Sequence, residues 1–355
     1  MNTKFSASEL NKLKTVLTVS IAGIIIGILF ANIAFGFTFY RVVKGALIGF
    51  LITSISSWVE LFYFQKKLIR LNFSAELLLR TIFYIVLITF TTLTVVVIHE
   101  SLEDEMTLSD ALLGSDVADF ISTDFTYIFI FAIAGSLIIN FTWQISRMLG
   151  KGVLTNVILG RYRRPAIEKK VFMFLDLKSS TMLAEKLDPY SYSRLLQEFF
   201  NDITDPVINH SGQIYQYVGD EVVLMWNADD GIKNNNCVNC FRSILSNISR
   251  KQEQYLNHFA FVPEFKAGIH IGDAVVTEVG ELKKEIVYHG DVLNTASRIQ
   301  SECNKLGVSL LISNDVAKAL NNDESIQLKS EGKILLKGKE KEVELFSVQF
   351  TGGMI

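Results

Sequence analysis

From Thr15 to Phe39 the chain carries no charged side chain. A helix of that length crosses the roughly 30 Å hydrocarbon core of a bilayer, and helices and closed barrels are the folds that satisfy their own backbone there. The first run is too long, and its flanks too unlike a cleavage site, for a signal peptide. Three further runs follow: Ala46 to Phe64, broken by Glu60 near its end, then Thr81 to Ile98 and Phe125 to Ile145. Runs this long argue against a soluble bundle of buried helices. The expectation is an α-helical transmembrane domain of four spans over residues 1–145, embedded in a lipid bilayer.

Charge sets the expected orientation. Lys4, Lys12 and Lys14 precede the first span, and Lys66, Lys67, Arg70 and Arg80 lie between the second and third. Arg147, Lys151, Arg161, Arg163, Arg164, Lys169 and Lys170 follow the fourth, whereas His99 to Asp124 holds many acids and neither Lys nor Arg. The positive-inside rule predicts a multi-pass protein of the cell (inner) membrane, with cytoplasmic termini and His99 to Asp124 outside. Arg41 and Lys44, read as the short first loop, run against this and are outnumbered. Glu60, near the basic end of its run, is expected to reach the interface. His99 has no second intramembrane His with which to hold a haem, so no cofactor is expected there.

Residues 146–168 read as a linker. Ile145, Leu149, Val153 and Val157 recur every four residues, as in a short helix able to pair with its twin; Gly150, Gly152 and Gly160 weaken it and Pro165 ends it. Arg161 to Pro165 reads as ordinary positive flanking. Cys237, Cys240 and Cys303 include one CxxC pair without a second pair for zinc, which indicates core or helix-surface thiols. The net charge of −3 provides no basic footprint, so no nucleic-acid partner is expected.

Beyond Lys169 the pattern changes. The apolar run VFMFLD ends at Asp176, and QIYQYVGDEVVLMW reads as a β-hairpin with Asp220 at its tip. Two carboxylates at neighbouring strand ends suit hard divalent cations, although Asp is also common at ordinary turns. Pro189 to His210 and Asn235 to Asn257 have helical spacing. Glu264 to Ile271, Glu285 to His289, Ser309 to Ser313, Ile326 to Leu336 and Glu342 to Phe350 read as strands. Asn294 and Arg298 lie four residues apart on one predicted helix face.

The stretches FLDLKSST, YVGDEVV and GDVLNTASR, in this order and spacing, resemble the signature of class III nucleotidyl cyclases, the adenylate and guanylate cyclase family, over roughly Lys169 to Phe350. The resemblance implies an α+β, ferredoxin-like (palm-type) catalytic domain over residues 169–355, built β-α-β-β-α-β with additions. It implies two Mg²⁺ or Mn²⁺ ions per site on Asp176 and Asp220, with the backbone carbonyl of Leu177 as a further ligand. Arg298 corresponds to the family arginine on the α-phosphate and Asn294 to the asparagine that positions the ribose. Lys337 corresponds to the lysine on the β- and γ-phosphates, with Lys339 as its neighbour. The reaction implied is intramolecular attack of the ribose 3′ oxygen on the α-phosphorus, in a homodimer with shared active sites.

At the purine-reading positions the chain departs from the family pattern. Gln216 stands where adenylate cyclases carry Lys, and Val287 where they carry Asp or Thr; Glu285 shares a strand face with Val287. Gln pairs with either purine, so the reading favours ATP without excluding GTP or a relaxed preference. Two alternatives stay open. VGDEVV also resembles the hairpin of diguanylate cyclases, against which NTASR and the Lys337 hairpin speak. A catalytically silent, nucleotide-binding membrane receptor would retain the same fold.

Overall fold

The computed structural model describes residues 7–64, 73–119 except 104, short stretches between 121 and 156, and 159–351. The chain divides into two compact units, Met1–Met148 and Leu149–Ile355.

In the first unit, α1 (Ala7–Phe35), α2 (Phe39–Val59, extended by a π turn at Glu60–Phe64) and α3 (Phe73–Glu103) are each long and apolar enough to cross a membrane. The first run ends earlier than expected, because Gly36 takes φ +77 and breaks the helix. Arg41 and Lys44 therefore lie inside α2 and not in a loop. Of the fourth expected span, Phe125 to Ile145, the residues that are described are helical, whereas Leu149, Val153 and Val157 of the linker repeat lie outside the described residues. α1 and α2 pack through small residues: a Cβ at Gly27 would stand 2.0 Å from the Gly45 carbonyl oxygen, and one at Gly49 2.1 Å from that of Gly23.

Glu60, expected at the interface, has partners within the unit. It pairs with Arg80 of α3 and accepts a hydrogen bond from the Tyr84 hydroxyl at 3.2 Å. Arg80 is fully buried and also binds Glu76 at 2.7 Å. A guanidinium has donors enough for two carboxylates, so charges that are costly alone are held together inside the helix pair.

The second unit is built on β1 (Ala166–Leu177), which is central because its residues alternate between two apolar faces. β3 (Glu221–Asn227) and β4 (Phe265–Val279) flank it antiparallel, and β2 (Gln213–Val218) pairs with β3. The order β4-β1-β3-β2 carries α4 (Pro189–Asn209) between β1 and β2, and α5 (Asn236–Arg250) between β3 and β4. This is the β-α-β-β-α-β order expected. β5 (Glu285–His289) hairpins onto β4, and β6 (Leu310–Ser313) lies parallel to β4. β8 (Val343–Phe350) and β7 (Ile326–Ile334) complete the sheet, and α6 (Asp291–Leu306) lies between β5 and β6 in the chain.

On one face Met173, Leu175, Leu224, Trp226, Ile269 and Ile271 join residues of α4 and α5 in the main core. Each such aliphatic side chain contributes about 1.5–3 kcal/mol on burial. On the other face Phe172, Val223, Ala274 and Val276 pack with Tyr288 and with Val292 and Ala296 of α6. Asp188 starts α4 by accepting the backbone N–H of Tyr190 at 3.0 Å and of Ser191 at 3.1 Å. The expected Asn235 to Asn257 helix divides into α5 and a short helix, Gln252–Phe259. Asp202 of α4 holds that corner, pairing with Lys251 and accepting the Tyr255 hydroxyl at 2.8 Å.

Candidate active site

Because β1 is central, its last residues have neighbours on both sides. Asp176 stands opposite Glu221 on β3 and Lys266 on β4. Gly219, at φ +63, makes the turn that places Asp220 beside them, its carboxyl near enough to act on the charge of Asp176. Asp176 Oδ2 accepts from Lys266 Nζ at 3.2 Å and from Gln300 Nε2 of α6 at 2.9 Å. Lys266 is a buried ammonium, 7% exposed. Leu177 has its side chain in the core, so its backbone is what it presents to this end of the sheet.

Burial, followed by the adjacent Asp220, raises the Asp176 carboxyl above its ordinary range, with Lys266 opposing. Glu221 is pushed up to about 7, first by burial and then by Asp176 and Asp220. Three carboxyls against one ammonium form an oxygen-rich set with excess negative charge. Hard divalent cations fit such a donor set. The sequence reading had missed Glu221, Lys266 and Gln300. Glu221 is the residue after Asp220, and Lys266 is a lone charge in an apolar strand, signals that could have exposed both. Gln300 had no signal.

Asn294 and Arg298 lie on α6 as expected, Asn294 exposed and Arg298 half-buried. The Arg298 guanidinium lies against Gly338, in the connection between β7 and β8, 3.4 Å from where a Cβ would stand. Lys337, next to Gly338, is exposed, whereas Lys339 is ion-paired with Asp291. Arg298 and Gln300, two residues apart, are separated by about 200° around the helix axis. Gln300 faces Asp176, while Arg298 faces the 337–339 turn. Within one chain, the carboxyl group of residues and the Asn-Arg-Lys group thus lie on two sides of α6.

Gln216 is exposed on β2, and Val287 is half-buried on β5, opposite Thr277 of β4. The contact joining these strands is made by their neighbours. The Tyr288 backbone N–H donates to the Tyr215 hydroxyl at 3.2 Å, and the two rings meet edge to face at 5.3 Å. Glu285 is exposed and paired with Lys283 at 2.5 Å.

The adenylate and guanylate cyclase catalytic domain model matches residues 164–349. This chain belongs to the class III nucleotidyl cyclases. It is 32% identical over 221 residues to adenylate cyclase 2 of Rhizobium meliloti (strain 1021), covering 62% of this chain and 61% of that one. It is 29% identical to adenylate cyclase 1 of the same organism over 182 residues, half of this chain and 27% of the relative. The chain thus spans about three fifths of the first relative and about a quarter of the second. The fold also matches a bacterial light-regulated adenylyl cyclase, with TM-score 0.52 at 17% identity, covering 61% of this chain and 63% of that structure. In this cyclase the three signature stretches fall at the end of β1, the β2–β3 turn and the start of α6.

The cysteines of the cyclase domain are core residues. Cys237 and Cys240 are fully buried on α5, and burial pushes the Cys237 thiol up to about 12. Cys303, buried on α6, is raised to about 12 by the same cause.

Proposed function

We propose that this cyclase is a membrane-anchored adenylate cyclase that converts ATP to 3′,5′-cyclic AMP and pyrophosphate as a homodimer with shared sites. The observation that supports this most is the gathering of Asp176, Asp220 and Glu221 at one strand end while Arg298 faces the other side of α6. In the reaction a bond forms between the ribose 3′ oxygen and the α-phosphorus, the hydroxyl proton passes to solvent water, and the bond from the α-phosphorus to the leaving pyrophosphate breaks. Two Mg²⁺ or Mn²⁺ ions, held by Asp176, Asp220 and the Leu177 carbonyl, would lower the hydroxyl pKa and neutralise the leaving group.

The chain's own residues supply the rest. Lys266 and Gln300 hold one oxygen of Asp176 and so orient its carboxylate. Arg298, always protonated and a planar donor, stabilises the charge that develops on the α-phosphate. Asn294, one helical turn earlier, positions the ribose. Lys337 is exposed to meet the β- and γ-phosphates, with Lys339 engaged by Asp291. Each site of the dimer takes its carboxylates from one chain and Asn294, Arg298 and Lys337 from the other. The three described apolar helices support membrane anchoring, and the lysine and arginine bias supports a cytoplasmic catalytic domain.

A second reading has GTP as substrate, because Gln216 and Val287 favour neither purine decisively. Turnover by the purified chain with ATP and GTP in parallel, in Mg²⁺ or Mn²⁺, tests both. Cyclic AMP as the main product is the expected result. Cyclic GMP would establish the second reading, and stoichiometric nucleotide binding without turnover would establish a receptor.

A further inference from the structure

The last turn of α3 carries His99, Glu100 and Glu103, whose candidate ligand atoms all lie within 4.8 Å of one another. His99 Nδ1 is 3.5 Å from Glu100 Oε1 and 3.3 Å from Glu103 Oε2. That nitrogen is shielded from solvent and makes no hydrogen bond among the described residues. The Tyr40 ring of α2 covers the imidazole, with centroids 3.8 Å apart, and its hydroxyl is likewise buried without a hydrogen-bond partner among the described residues. Lys44 Nζ lies 3.7 Å from Glu100 Oε1 and 4.2 Å from the Tyr40 ring.

We propose that His99, Glu100 and Glu103 form a binding site for a borderline transition cation of the Zn²⁺ type, separate from the cyclase site. A neutral imidazole nitrogen that lies 3.3–3.5 Å from two carboxylates and is hydrogen-bonded to neither is placed to share an ion with them. One imidazole and two carboxylates are a three-ligand set that Zn²⁺ and its neighbours accept, leaving a position open for water. Mg²⁺ and Ca²⁺ prefer oxygen throughout. His99 and Glu103 are one helical turn apart, so a single helix presents both to the same ion. The cluster borders an apolar groove of about 510 Å³ between α2 and α3, which His99 and Lys44 line. Lys44 is the internal competitor, holding Glu100 when no metal is bound.

The test is Co²⁺ titration of the full chain in detergent, with Asp176→Asn and Asp220→Asn introduced to disable the cyclase metal ligands. The expected result is one Co²⁺ per chain, with the visible absorption of a nitrogen-ligated, low-coordinate ion, displaced by Zn²⁺ and not by excess Mg²⁺. His99→Ala should abolish that band. Glu103→Gln should weaken binding by at least the roughly tenfold to hundredfold that loss of a supporting residue costs. Lys44→Met should tighten binding, by about tenfold on the same scale. Absence of stoichiometric binding, a band that survives His99→Ala, or displacement by Mg²⁺ would each overturn the proposal. Where His99→Ala does not fold, Lys44→Met decides: unchanged or weaker Co²⁺ affinity also overturns it.

Discussion

Asp176 and Arg298 test the proposed chemistry most directly. Asp176→Ala removes a proposed divalent-ion ligand and should abolish turnover. Arg298→Ala removes a donor used chiefly in the transition state and should cost on the order of 10²–10³ in kcat with little change in KM. Glu221 should make the proposed metal binding depend on pH. Its folded pKa of about 7 stands above the ordinary 4.5, so between these values the folded metal-free protein keeps a proton that the unfolded chain has lost. This group's contribution to stability therefore falls as pH rises from 4.5 to about 7 and is flat above. Divalent ions compete with that proton, so Mg²⁺ affinity should rise with pH up to about 7 and then level. Thermal shifts with and without Mg²⁺ at pH 6 and pH 8 measure this. Glu221→Gln should shrink the pH dependence, and an unchanged dependence would assign it elsewhere. Gln216→Lys combined with Val287→Asp should sharpen preference for ATP, because a fixed donor and a fixed acceptor then match its edge. An unchanged kcat/KM ratio would show that the base is read elsewhere, with exposed Glu285 the first residue to examine.

At the scale of elements, α6 connects the two halves of the site, and its seat on the sheet depends on Gly268 of β4. A Cβ there would stand 2.2 Å from the Gln300 backbone nitrogen and 2.6 Å from the Ala296 carbonyl oxygen, neither able to yield without moving the helix. Gly268→Ala should therefore destabilise the domain by about 1–3 kcal/mol, the usual cost of overpacking. It should also lower kcat beyond what stability explains, because Gln300 and Arg298 shift together. A Tm and kcat matching wild type would refute this role for the close approach. Much of this level was legible beforehand. The apolar run VFMFLD and the Gly-Asp hairpin are local signals, and β1, β2 and β3 fall where they predict. Less legible were the break between α5 and the Gln252–Phe259 helix, held by Asp202 from α4, and the pairing of Glu60 with Arg80. Both depend on a partner remote in sequence.

For the molecule as a whole, the two faces of α6 lead to a complementation experiment. Asp176→Ala and Arg298→Ala chains should each be inactive. Random co-assembly gives half mixed dimers with one intact site of two, so activity should recover to about a quarter of wild type. Demonstrably mixed dimers as inactive as their parents would require a self-contained site. Topology has its own test: a cysteine placed between His99 and Asp124 should be labelled from outside in intact cells, and one between Lys66 and Arg80 should be protected. The reverse pattern would overturn the orientation.

Sequence alone determined the apolar runs, the change of pattern near Lys169 and the family, because hydropathy, strand alternation and short signatures are local properties of a chain. It also placed Asp176, Asp220, Asn294 and Arg298 on the elements that carry them. Tertiary structure decided what those residues face. Asp176 acquired Lys266 from the next strand and Gln300 from a helix 124 residues away, and Glu221 acquired its raised pKa from burial beside two acids. Lys337 was separated from Lys339 by an ion pair to Asp291. Each of these outcomes depends on distances between segments remote in sequence. Such distances are set by how the sheet and helices pack, which residue spacing along the chain does not encode.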